Sequence, residues 1–93
     1  MIEYSYKTIH SLRHTKHRKA YNKFLIEGKR IIESALVCNA NIDIIFSSDD
    51  FLKKNNPWVQ KHLKKDATIK TIEKKTLLKI SNTKSPQEIL AVC

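Results

Sequence analysis

Short apolar runs alternate with amphipathic stretches along the chain, and the two spacings predict its elements. Over 4–12, Ile9 and Leu12 fall on one side of an amphipathic helix. Residues 13–15 read as a break, with Thr15 placed to cap a second short helix over 16–22. The run Phe24-Leu25-Ile26 reads as a buried strand, and Gly28 as the turn that follows it. Over 29–38, Ile31, Ile32, Ala35 and Leu36 have helical spacing and predict one buried face, ended by Asn39-Ala40-Asn41. A β-branched and aromatic run over 42–46, broken only by Asp43, predicts a largely buried strand. In Ser47-Ser48-Asp49-Asp50, a serine followed three positions later by an acid predicts a capped turn through Phe51 and Leu52. Asn56-Pro57 predicts a new N-cap and first helical position, with Val59 and Leu63 inward and Trp58 and His62 flanking over 57–65. A third strand over 67–72, a helix over 73–80 presenting Leu77, Leu78 and Ile80, a polar loop over 81–87 and a last apolar strand over 89–93 complete the chain.

Strands alternating with helices predict a three-layer α/β/α sandwich around a small four-stranded sheet, mostly parallel or mixed. The 93 residues fit one domain able to bury a modest core without disulfides or metals. No internal repeat or low-complexity tract is present. The chain stops on an apolar strand, which suits a natural terminus and equally a cut at a domain boundary.

Charge changes the picture. The net +9 is uneven: residues 1–30 carry eight Lys/Arg against Glu3 and Glu27, residues 31–66 are neutral, and residues 67–93 carry +3. A basic first third suggests a polyanionic partner such as nucleic acid, although an overall richness in Lys, Ile and Asn accounts for part of the total. No apolar run approaches a membrane span, and no leader pattern opens the chain. The two cysteines, Cys38 and Cys93, match no zinc spacing and suggest a reduced, cytoplasmic setting, with Cys38 packed on the sheet as a small helix residue.

One glycine excludes dinucleotide and P-loop cradles, which need several. His10, His14 and His17 share a face only on an unbroken helix, and Arg13, Lys16 and Arg18 among them repel a metal ion. Asp49-Asp50 is the one paired carboxylate and is accounted for by capping. The remaining chemistry is basic. Arg13, Lys16, Arg18, Lys19, Lys23, Lys29 and Arg30 are candidate phosphate contacts, and His17 and Tyr21 candidate base contacts. Lys29 and Arg30 sit where a helix N-terminus offers free N–H groups, a candidate anion pocket.

Ser11-Leu12-Arg13 leading through Lys16-His17-Arg18-Lys19 into Phe24-Leu25-Ile26-Glu27-Gly28-x-Arg30, then Ile31-x-Glu33-x-Ala35-Leu36, resembles the N-terminal substrate-binding domain of SpoU-type (TrmH-type) RNA 2′-O-ribose methyltransferases. The closing 80–92, with Thr83-x-x-Pro86-Gln87 and Ile89-Leu90-Ala91-Val92, looks like the end of the same domain. The resemblance implies a fold similar to kink-turn-binding ribosomal proteins and a role in holding structured RNA, ribosomal or transfer. It also implies a separate knotted domain that binds S-adenosylmethionine, dimerises and carries out methyl transfer. That domain's Asn-Leu-Gly-x-x-x-Arg motif is absent, so no catalytic, cofactor or metal residue carries over, and these 93 residues are expected to be inactive alone. Where the family usually has glycine after Pro-Gln, this chain has Glu88. Two other readings stand beside this one. The first is a standalone kink-turn-type RNA-binding protein. The second is a protein-interaction module using Phe51, Trp58 and the last strand.

Overall fold

The computed structural model describes residues 5–63, 68–81 and 87–93. Its elements are α1 (Tyr6–Ser11), α2 (Thr15–Tyr21), β1 (Leu25–Glu27), α3 (Lys29–Val37), β2 (Ile44–Ser47), α4 (Asp49–Lys54), α5 (Asn56–His62), β3 (Ile69–Thr71), α6 (Lys74–Ile80) and β4 (Ile89–Val92). The expected helix start at Tyr4, the helix end at 64–65, the strand start at Ala67 and the loop residues 82–86 lie outside the described residues.

The four strands form one mixed sheet in the order β1-β4-β2-β3. β4 is antiparallel to both β1 and β2, and β3 is parallel to β2. Three strands therefore share one direction, and the last strand is inserted between the first two against that direction. The β1–α3–β2 unit is a crossover that leaves a gap, and β4 fills it.

Side chains alternate across a strand, so a strand covered on both faces must be apolar throughout. All four β4 residues are buried. Leu90 and Val92 join Ile9, Leu12, Phe46, Leu77 and Ile80 on the face covered by α1 and α6. Ile89 and Ala91 join Ile32, Ile45, Phe51 and Leu63 on the face covered by α3, α4 and α5. The three layers follow from that alternation.

Several local expectations change. Phe24 precedes β1 and is 51% exposed: β1 is an edge strand, and the groove beside it between α2 and α3 is open to solvent. Backbone bonds in both directions with Cys93, 3.0 and 2.9 Å, still hold Phe24 to the ladder. On α3 the sheet-facing line is Ile32 and Leu36, which leaves Ile31 55% exposed. Leu78 is likewise exposed, and Cys38, at the C-cap of α3, is exposed instead of packed on the sheet. With one glycine available, asparagines supply left-handed turns: Asn22 ends α2 at φ 55°, and Asn39 follows α3 at φ 56°.

The caps shift by one residue. Ser48, not Ser47, caps α4, its Oγ accepting the N–H of Phe51 at 3.1 Å. Ser47, the last residue of β2, is buried and donates to the Ser48 carbonyl at 3.1 Å. His14 stands at the N-cap of α2, with Thr15 already helical, and Asn55 stands at the N-cap of α5.

Ser48 also donates to Glu88 Oε1 at 2.7 Å, and Lys74 Nζ lies 3.6 Å from Glu88 Oε2. Glu88 has φ 61°, the conformation a glycine adopts freely, and these two contacts hold a charged side chain there. Ser48→Ala removes a cap and one of the two partners of a part-buried carboxylate, leaving it Lys74 alone. It should cost about 2 kcal/mol in urea unfolding, against about 1 kcal/mol for Ser47→Ala. The reverse ranking would return the cap to Ser47.

Candidate nucleic-acid interface

The basic segment is divided by the break between α1 and α2. Arg13 lies in that break and is half-buried. Its Nη1 is 3.2 Å from His10 Nε2 and 3.5 Å from the Lys79 carbonyl, so it ties α1 to α6. Lys16 and Lys19 are exposed on α2, with no acidic partner among the described residues. Arg18 donates to Thr15 Oγ1 at 2.8 Å, one turn back on the same helix. His17 is half-buried, its ring edge-on to His14 with centroids 6.3 Å apart. Tyr21 ends the helix in an exposed position. Lys23 is paired with Asp43 at 2.7 Å, across to the segment that enters β2.

Lys29 and Arg30 fall elsewhere. A groove of about 870 Å³ runs between α2 and α3 and contains Arg18, Lys19 and Lys23. Lys29 and Arg30 line a second depression, on the other side of α3, with Glu33, Phe51, Asn55 and Gln87. The structure thus brings part of the basic set together along α2 and separates Lys29 and Arg30 from it by the width of a helix.

The proposed anion pocket at the start of α3 is changed as well. The Lys29 N–H is taken by Gln87 Oε1 at 3.1 Å. Lys29 Nζ donates to Asn55 Oδ1 at 3.2 Å and stands 6.0 Å from the centre of the Trp58 ring. Gly28 at φ 99° makes the arrangement possible, since a Cβ there would lie 3.3 Å from Gln87 Oε1. Gln87 therefore acts as the side-chain cap that glycine lacks, supplied from the segment that leads into β4. The ends of the two sequence motifs meet at this point. Glu27 has a structural partner too, accepting from Ser81 Oγ at 2.6 Å.

The second depression is lined by residues that sequence reasoning did not assign to the site, Glu33, Phe51, Asn55 and Gln87, and Trp58 and His62 pack against two of them. Phe51 and Trp58 pack edge to face with centroids 6.0 Å apart, Trp58 lies 5.5 Å from His62, and His62 Nε2 is 2.7 Å from Glu33 Oε1. The proline at the start of α5 and the flanking aromatic were the available signals. Nothing local linked them to Lys29, 26 residues before Asn55. Among the described residues no group of three His, Cys, Asp or Glu is placed to hold a metal ion, and no helix is long and apolar enough to cross a membrane.

The family model for the MRM3-like substrate binding domain matches residues 5–91. A search of curated protein sequences gives no match. Among solved structures, an RNA 2′-O ribose methyltransferase is 28% identical with a TM-score of 0.76, over 94% of this chain and 33% of its own. The SpoU methyltransferase AviRb from Streptomyces viridochromogenes, in complex with the cofactor AdoMet, is 16% identical with a TM-score of 0.77, over 98% of this chain and 35% of its own. An rRNA methyltransferase from Sinorhizobium meliloti is 18% identical with a TM-score of 0.67, over 94% of this chain and 32% of its own. The last two likenesses concern the fold. The chain spans about a third of the length of each of these proteins.

Gly28→Ala forces a side chain into a conformation reserved for glycine and against the Gln87 amide. It should cost about 2–3 kcal/mol in urea unfolding, and a loss under about 0.5 kcal/mol would deny the clasp. The cysteines offer a second check. Burial raises the Cys93 thiol pKa, the Asp43 carboxylate raises it further, and Lys23 partly opposes both. The neutral thiol is favoured in the fold, so its contribution to stability is present below the ordinary thiol pKa and lost as pH rises through the raised value. With iodoacetamide at pH 8, exposed Cys38 should be alkylated several-fold faster than Cys93, as read by mass spectrometry of the peptides.

Proposed function

This chain belongs to the MRM3-like substrate binding domain family, and on that premise we propose that it is the RNA-recognition domain of an S-adenosylmethionine-dependent 2′-O-ribose methyltransferase acting on ribosomal or transfer RNA. The cofactor and the methyl transfer belong to a separate domain, because these residues carry one glycine and none of the methyltransferase motif. A cytoplasmic location and dimerisation through that separate domain are part of the same proposal.

The observation that carries it is the open cationic surface of α2 on a chain of this family. Lys16 and Lys19 extend into solvent on a protein of net charge +9. A cation with no carboxylate beside it is free to displace counterions from a phosphate backbone, which favours polyanion binding at any sequence. Arg18, His17 and Tyr21 lie on the same helix and Arg30 on the far side of α3, all within reach of an extended ligand. Arg13, Lys23 and Lys29 have protein partners and reach RNA only by sharing or releasing them.

Titration of a structured ribosomal RNA fragment against salt tests the reading. Affinity should fall as salt rises, and Lys16→Ala with Lys19→Ala should reduce the slope of log K against log salt by about 2 without changing thermal stability. A wild-type slope near zero overturns it.

A further inference from the structure

The groove between α2 and α3 has two unlike walls. On α2, Arg18 and Lys19 line it; on α3, Ile31, Ser34 and Ala35 do. One wall is cationic, and the other is uncharged and made mostly of small side chains. Between them is Phe24, 51% exposed just before the edge strand. Its backbone is pinned by the two hydrogen bonds to Cys93, so the ring is presented from a fixed base. Phe24 and Ile31 both line the groove and are exposed, outside the core that Ile32 joins beneath α3.

A nucleotide is asymmetric in the same sense. Its phosphate carries the charge, and its base offers two apolar faces that stack on aromatic rings. We propose that this groove takes an unpaired RNA base onto Phe24, with the adjoining phosphates along Arg18 and Lys19. The proposal rests on the RNA-recognition reading and adds to it the form of RNA preferred: single-stranded or splayed-out nucleotides, which alone can bring a base face to the ring. Base-paired RNA buries its base faces in its own stack and meets only the cations of α2.

Two labelled RNAs separate these contributions by fluorescence anisotropy at one salt concentration: a uridine 12-mer, whose bases stack weakly on one another, and a 12-base-pair RNA duplex. Phe24→Ala should weaken binding of the uridine strand about tenfold and leave duplex binding unchanged, and Phe24→Trp should restore it. Lys19→Ala should weaken both. Replacing the uridines with 4-thiouridine should place photo-crosslinks on wild-type residues of this groove, a readout independent of how any variant folds. Uridine affinity insensitive to Phe24→Ala, or equal losses on both RNAs, overturns the proposal. Duplex binding without single-strand binding also overturns it and leaves the RNA-recognition reading standing; binding of neither RNA removes both. Concentration-dependent dimerisation abolished by Phe24→Ala, with uridine binding intact, assigns the groove to a second copy of the chain and overturns the proposal as well.

Discussion

The structure depends on one insertion: β4 lies between β1 and β2 and is buried on both faces. Every sheet contact between the first strand and the rest passes through it. Its alternate residues anchor opposite layers, so four apolar side chains at the end of the chain serve both cores at once. The β1–β4 and β2–β4 ladders are therefore the long-range contacts that close the fold. Strand pairing across such sequence distances carries a loop-closure cost that local helix formation does not. The β1–α3–β2 unit cannot form a continuous sheet by itself.

That arrangement also explains how the basic residues are sorted. α3 lies across the sheet from a fixed start at Gly28, with its Ile32–Leu36 line facing inward. What remains is two flanks, one turned toward α2 and the other toward α4 and α5. Cations six positions apart in the sequence, Lys23 and Lys29, thus serve different surroundings. Lys23 closes an ion pair beside β2, and Lys29 reaches across to α5. A single basic surface running from α2 through Arg30 is interrupted by the helix between them.

Much of the fold was legible because its signals are local. The apolar periods gave the element order, and the alternation of strands with helices gave the layered sandwich. The losses have identifiable causes. Strand direction depends on β4 threading back between β1 and β2, which no window of sequence contains. Ser47 and Ser48 are equally good caps on paper, and the point at which β2 gives way to α4 decides between them: Ser47 is still in the strand, and Ser48 is the last extended residue before Asp49. Phe24 looks like a core residue because hydrophobicity does not report that it precedes an edge strand, and Ile31 does because helical spacing suits an Ile31–Ala35 line as well as the Ile32–Leu36 line that faces the sheet. Of the candidate site, the cations of α2 were legible from composition. The Gln87 cap was not, since it reaches Lys29 from 58 residues away.

Glu88 occupies a left-handed position and stays there through Ser48 and Lys74. A charge-assisted bond of about 1.5–3 kcal/mol offsets a backbone strain of about 1–2 kcal/mol. The three residues are thereby entrenched together. Exchanging Glu88 for glycine relieves the backbone but leaves a hydroxyl and an ammonium that had adapted to the carboxylate. Exchanging Ser48 first leaves the strain with less to oppose it. Substitution at this corner is epistatic: the route back to glycine runs through the helix cap and α6 before it reaches the turn itself.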